Sequence, residues 1–142
     1  APELSSAMVY SQILKLKKIQ TKREKIWQKY KNTINNLKTD KFYLIKPIKK
    51  TTSAHHILAL VFKDLKLSNI FKHEMQKNNI AATFHYVPLH KSKMGKHFCK
   101  YKIPVTEKIF NKIVRLPLFS DMTNKEFNKI SKVLKKFNKD YS

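Results

Sequence analysis

Apolar positions in the first quarter of the chain recur at helical spacing. Leu4, Ala7, Met8, Ile13, Leu16 and Ile19 follow one another mostly three or four residues apart, and Ile26, Trp27, Tyr30, Ile34 and Leu37 resume the pattern beyond the polar stretch from Gln20 to Lys25. The spacing predicts one very long helix, or two with a bend. Ala1-Pro2-Glu3 suits its start, because proline is tolerated in a first turn and an acidic residue there complements the helix dipole. No element precedes this helix, so the chain is expected to open in the middle of a larger architecture.

A polar, basic stretch from Thr39 to Ser53 carries Pro47 and the short run Phe42-Tyr43-Leu44-Ile45, which reads as a connection with an edge strand. From His55 to Phe62 the sequence is nearly all apolar, the mark of a central strand covered on both faces. Ser68 is expected to cap a helix running to Asn78, with Ile70, Phe71 and Met75 inward and Asn78-Asn79 as its stop. Residues 80–86 read as a strand that Val87-Pro88 ends, and 88–103 as a loop. A helix from Thr106 to about Ile113 and a short strand over 114–118 follow. Thr123-Asn124-Lys125-Glu126 is a capping box, with Phe127, Ile130, Leu134 and Phe137 spaced along one face behind it. Helices alternating with short strands predict an α+β layer, helices packed on a small sheet.

Composition supports one folded unit. A chain of 142 residues with 42% apolar content, nine Phe and six Tyr can bury a core, which excludes intrinsic disorder. The single cysteine, Cys99, excludes an internal disulfide framework and fits a reducing compartment. No run of about 18 apolar residues occurs, and the first residues lack the order of a signal peptide, so the expected location is the cytoplasm.

Charge changes the picture less than its size suggests. The net charge is +22, but of the 31 basic residues only Arg23 and Arg115 are arginine, the residue suited to forked phosphate recognition. Lysine is spread over nearly every predicted polar face, as compositional bias would spread it. Nucleic acid is therefore expected to bind only non-specifically, through charge. No zinc-finger spacing, RNA-binding sheet signature or Gly-rich phosphate loop is present.

Candidate chemistry concentrates in one segment. In Phe84-His85-Tyr86-Val87-Pro88-Leu89-His90 a strand runs into a long loop, and its two imidazoles and phenol can donate to phosphate or sugar hydroxyls. The residues alone leave a ligand-facing loop and ordinary packing equally open. His85, His90, His97 and Cys99 match no structural zinc spacing, so no metal site is expected. Among so many lysines none can be singled out for imine chemistry, and Cys99 has no neighbour that marks it as a nucleophile.

The order of several motifs resembles a known family. Ala1-Pro2-Glu3-Leu4-Ser5-Ser6-Ala7 with Ile13-Leu14-Lys15-Leu16 and Arg23, then Phe84 to His90, Gly95-Lys96-His97-Phe98, Val105-Thr106-Glu107 and Arg115-Leu116-Pro117-Leu118-Phe119, is similar to the C-terminal part of DegT-type sugar-nucleotide aminotransferases, which use pyridoxal phosphate. The similarity covers almost the whole chain, with Ser5-Ser6 departing from the family's usual Gln-Ala.

The resemblance implies the small C-terminal domain of a fold-type I aminotransferase, with 1–38 a helix connecting to a large domain and 39–142 the small α+β domain. It implies that the Schiff-base lysine, the acid at the pyridine nitrogen and most cofactor phosphate contacts lie before Ala1. This chain alone would then hold no catalytic residue and no bound cofactor, and would be inactive. By the same resemblance His85, Tyr86 and His90 border the nucleotide sugar, Tyr86 nearest the hexose. The expected reaction moves an amino group from glutamate to a dTDP- or UDP-linked 4-keto-6-deoxy sugar for polysaccharide biosynthesis, in an enzyme that is a homodimer when complete. The competing expectation is a basic module that kept the fold and binds polyanions or a protein partner.

Overall fold

The computed structural model describes residues 2–48, 50–98 and 101–141; Ala1 and Cys99, and the expectations attached to them, fall outside. The long N-terminal pattern resolves into two helices, α1 (Glu3–Ile13) and α2 (Leu16–Asn36). The break falls at Leu14 and Lys15, where the N–H of Lys15 turns back to the carbonyl of Gln12. The two helices have different surroundings. Nothing on α1 is buried, and Leu4, Met8, Val9, Tyr10 and Ile13 are all exposed. On α2 the stripe Ile26, Trp27, Tyr30 and Ile34 is buried, four positions on one side of the helix.

Four strands form an antiparallel sheet in the order β1-β2-β4-β3, where β1 is Phe42–Leu44, β2 Leu58–Phe62, β3 Thr83–Phe84 and β4 Ile113–Leu116. All five residues of β2 are buried, as its unbroken apolar run predicts. It begins at Leu58, later than the run itself, because Leu58 pairs with Leu116 and the next partner, Pro117, has no N–H to extend the ladder. The expected strand over 80–86 shrinks to two residues. Its first part closes a helix instead, with the N–H of Ile80 donating to Met75, and Pro88 limits the other end.

Registers divide the sheet into two faces. Phe42 lies opposite Phe62, Leu44 opposite Leu60, Leu60 opposite Val114 and Leu58 opposite Leu116, so these side chains share the face under the helices. There α3 (Leu65–Lys77) contributes Phe71 and Met75, and α6 (Asn124–Asp140) contributes Ile130, Leu134 and Phe137. The rings of Phe62 and Phe71 lie 5.0 Å apart, those of Phe71 and Phe137 5.1 Å, and Phe42 is 5.2 Å from Phe62. Tyr30 reaches the core from α2 and donates its hydroxyl to the Pro117 carbonyl at 2.9 Å; burial pushes this phenol well above its ordinary pKa.

Local signals fix the helix ends, with two corrections. Asp64, not Ser68, caps α3, accepting the N–H of Leu67 at 2.8 Å. Ser68 is a fully buried interior residue whose hydroxyl reaches the carbonyls of Leu65 and Asn111. The helix expected from Thr106 is α5 (Pro104–Ile109), starting two residues earlier because Pro104 needs no N–H partner in a first turn. A 3₁₀ turn over Phe110–Lys112 follows, so Ile113 already belongs to β4. The Thr123–Glu126 capping box is present in both directions. Within the expected loop 88–103 lie a 3₁₀ turn, Leu89–Lys91, and the short helix α4, Gly95–Phe98. No helix among the described residues is long and apolar enough to cross a membrane.

Two outcomes test this packing. Phe137→Ala removes the ring shared by both helices and the sheet, and is expected to cost about 3–5 kcal/mol in urea unfolding, a loss below about 1 kcal/mol being inconsistent with it. Deleting residues 2–14 removes a helix with no buried residue, and is expected to shift Tm by no more than about 2 °C.

Candidate functional site

The loop from His85 to Lys91 leaves the short strand β3 at the end of the sheet opposite β1. Its pairing partner β4 sets the exit: Thr83 lies opposite Arg115 and Phe84 opposite Val114. Alternation then places Arg115, Thr83 and Ile113 with Tyr43, Ala59 and Val61 on the face away from the Phe cluster. His85 and Tyr86 emerge beside Arg115. The His85 and Tyr86 rings are 4.8 Å apart, and the Arg115 guanidinium carbon lies 5.9 Å from the centre of the Tyr86 ring. Tyr86 is exposed, while Nδ1 of His85 is shielded and makes no hydrogen bond. A groove of about 270 Å³ runs beneath, lined by His85, Tyr86, Pro88, Leu89, Thr106 and Phe110 among others. A larger hollow, about 660 Å³, lies at the other edge along Tyr43, Ile45 and Val61.

His90 is placed differently from its two companions. Its side chain is only 10% exposed and turns toward α5, with Nε2 3.5 Å from Oε1 of Glu107, an ion-pair distance outside hydrogen-bond geometry. The other carboxylate oxygen of Glu107 is 3.6 Å from Nζ of Lys91, whose ammonium also lies 4.9 Å from the centre of the Phe110 ring. Partial desolvation pushes the Glu107 carboxyl up, but the Lys91 ammonium, a backbone hydrogen bond from Ile103 and the His90 ring outweigh it and hold it below its ordinary value.

The turn between His90 and α4 is tightly built. Ser92 donates its hydroxyl to the Leu89 carbonyl at 2.7 Å and accepts the N–H of Gly95 at 2.9 Å. Gly95 is the only glycine of the chain, and a Cβ at that position would collide with the Leu89 carbonyl oxygen. This contact, and no positive φ, demands glycine here.

The three residues expected at a substrate site thus divide into an exposed Tyr86, a half-buried His85 and an inward His90. Arg115 and Glu107 join them, although sequence reasoning placed neither in the site. A signal for both existed: Glu107 is the only acid between Glu74 and Asp121, and Arg115 is one of two arginines. Among the described residues no three His, Cys, Asp or Glu side chains gather as a metal site would require. Pyridoxal phosphate needs a free amine for its aldehyde and a carboxylate for its ring nitrogen. Here Glu107, the carboxylate of the cluster, is engaged by Lys91 and His90, and Lys91 is engaged in turn by Glu107 and Phe110. The cluster does not form a cradle for that cofactor. Its imidazole, phenol and guanidinium suit hydroxyl and phosphate oxygens instead.

Comparisons with known proteins agree on what the chain is similar to. No curated protein matches the sequence at a significant level. The fold is similar to aminotransferase TlmJ from Streptoalloteichus hindustanus (TM-score 0.82, 16% identity, 93% of this chain and 35% of that one). It is also similar to Helicobacter pylori PseC, an aminotransferase involved in the biosynthesis of pseudoaminic acid (TM-score 0.84, 19% identity, 97% and 38%). A third match is the Streptococcus pneumoniae protein Spr1654 in its PLP-form (TM-score 0.78, 19% identity, 94% and 34%). At these identities the likeness is one of fold, and the chain spans little more than a third of each of these structures. The model of the DegT/DnrJ/EryC1/StrS aminotransferase family matches residues 2–135, nearly the full length, and the chain therefore belongs to that family.

Proposed function

We propose that this chain is the small domain, with its connecting helix, of a pyridoxal-phosphate-dependent sugar-nucleotide aminotransferase. Residues 1–38 form the connection and 39–142 the domain. The observation that carries the reading is the loop 85–91, anchored by β3 on the sheet and bearing imidazole and phenol side chains at a groove of about 270 Å³. The family membership supplies the reaction class.

In this reading the chain's task is to bind and orient the sugar nucleotide. Tyr86 presents its hydroxyl to the hexose, with the ring near both His85 and Arg115. His85 lines the same groove, and His90, which the family resemblance also sets at the border of the sugar nucleotide, is held against Glu107 at the far end of the loop. The cofactor, when bound to the complete enzyme, supplies the electron sink for amino transfer. Its lysine, ring-nitrogen acid and phosphate contacts belong to a large domain outside these 142 residues, so the chain alone is inactive. The substrates are glutamate and a 4-keto-6-deoxy hexose on dTDP or UDP, the pair used by a dTDP-4-amino-4,6-dideoxygalactose transaminase in polysaccharide biosynthesis. The complete enzyme works in the cytoplasm as a homodimer, and α1, with no buried residue in this chain, packs on the large domain.

The test combines the chain with a large domain that carries the cofactor lysine. Amino transfer from glutamate to the dTDP-linked keto sugar is expected only in the combination. Tyr86→Phe, which removes one neutral hydrogen bond, is expected to raise KM for the sugar nucleotide roughly three- to tenfold. His90→Ala is expected to raise that KM or lower kcat. Unchanged kinetics in both variants would remove the loop from the site, and failure to turn over any keto sugar nucleotide would overturn the assignment of substrate class.

A further inference from the structure

The far end of the loop that carries Tyr86 meets one ion-pairing carboxylate of α5. Glu107 lies in α5, some sixteen residues beyond the loop, and reaches back with both oxygens: Oε1 to Nε2 of His90 at 3.5 Å and Oε2 to Nζ of Lys91 at 3.6 Å. Lys91 is held from a second side by the Phe110 ring, and its N–H donates to Pro88 at 2.8 Å, closing the turn that follows Tyr86. His90 is nearly buried in this arrangement. On the other flank the chain is fixed by Ser92 and by the contact of Gly95 with Leu89.

From this geometry we infer that Glu107 is the positioning residue of the 85–91 loop, a clasp that grips its far end and so fixes where Tyr86 is presented. The groups facing the Glu107 carboxylate are His90 and Lys91 from the 3₁₀ turn and the backbone of Ile103 at the start of α5. The carboxyl is held below its ordinary value, so the clasp is present at neutral pH and is lost as pH falls through that depressed value, below the usual carboxylate range. The importance of the clasp for a substrate rests on the function proposed above. The clasp itself does not.

Hydrogen exchange on this chain, without ligand, tests it. In Glu107→Gln the charge is lost at constant shape, and the amides of Lys91 and Ser92, which donate to the carbonyls of Pro88 and Leu89, are expected to exchange about two- to fivefold faster at pH 7, corrected for intrinsic rates, while amides of β2 and α6 are unchanged. Acidification is expected to loosen the loop of the wild-type chain and to have no further effect on it in Glu107→Gln. Unaltered loop exchange in the variant overturns the proposal, as does a rise shared equally by β2 and α6. An identical acid response in the two proteins overturns it as well. Since no sugar nucleotide enters the measurement, a localised response together with unchanged Tyr86→Phe kinetics would keep the clasp and reject the substrate assignment.

Discussion

Four phenylalanines hold the elements of this domain in one arrangement. Phe42 comes from the edge strand, Phe62 from the central strand, Phe71 from α3 and Phe137 from α6, and neighbouring ring centres lie between 5.0 and 6.5 Å apart. Aromatic pairs at such distances contribute about 0.5–1.5 kcal/mol each beyond the area they bury. Their effect on geometry is as important. A one-residue slip of β2 against β1 would turn Phe62 to the opposite face and empty the space between the helices, so the cluster selects one register. That register aligns β2 with β4, and β4 with β3, which is how a core contact determines where the 85–91 loop begins.

Polar contacts close the seams that the rings leave open. Asn138 of α6 donates to the Leu37 carbonyl at 3.1 Å and, through its own carbonyl and side-chain oxygen, accepts from the buried Lys41 ammonium. The turn between α2 and β1, where Lys38 takes a positive φ, is thereby fixed to the last helix. Elsewhere the lysines are largely solvated. The Lys22–Asp121 and Lys63–Asp40 pairs are exposed, and pairs of that kind contribute little to stability. The net charge of +22 therefore says more about how the protein meets polyanions than about its fold.

Long-period patterns carried most of the fold in the sequence. The apolar run of β2, the stripe of α2 and the capping box of α6 each involve several residues that must agree, and all three appear as expected. The errors arose where one residue decides. Ser68 has the side chain of a cap, but Asp64 stands where the chain is still extended and takes the N–H of Leu67 first. Residues 80–86 have strand composition, but Ile80 is drawn into the end of α3. The candidate loop was legible from its imidazoles and phenol. That His90 turns inward was not, because its partner Glu107 lies beyond α4 in the chain and meets it only where α5 folds back against the 3₁₀ turn.

Fold, loop and family together describe a domain that presents imidazole, phenol and guanidinium groups on a sheet whose geometry the Phe cluster determines. The most direct test is a nuclear Overhauser spectrum of the 142-residue chain. The account predicts interstrand contacts between Leu60 and Val114 and between Phe84 and Val114, together with contacts from the Tyr86 ring to the Arg115 side chain. Strand pairing in another register, or a Tyr86 ring without contact to Arg115, would contradict it.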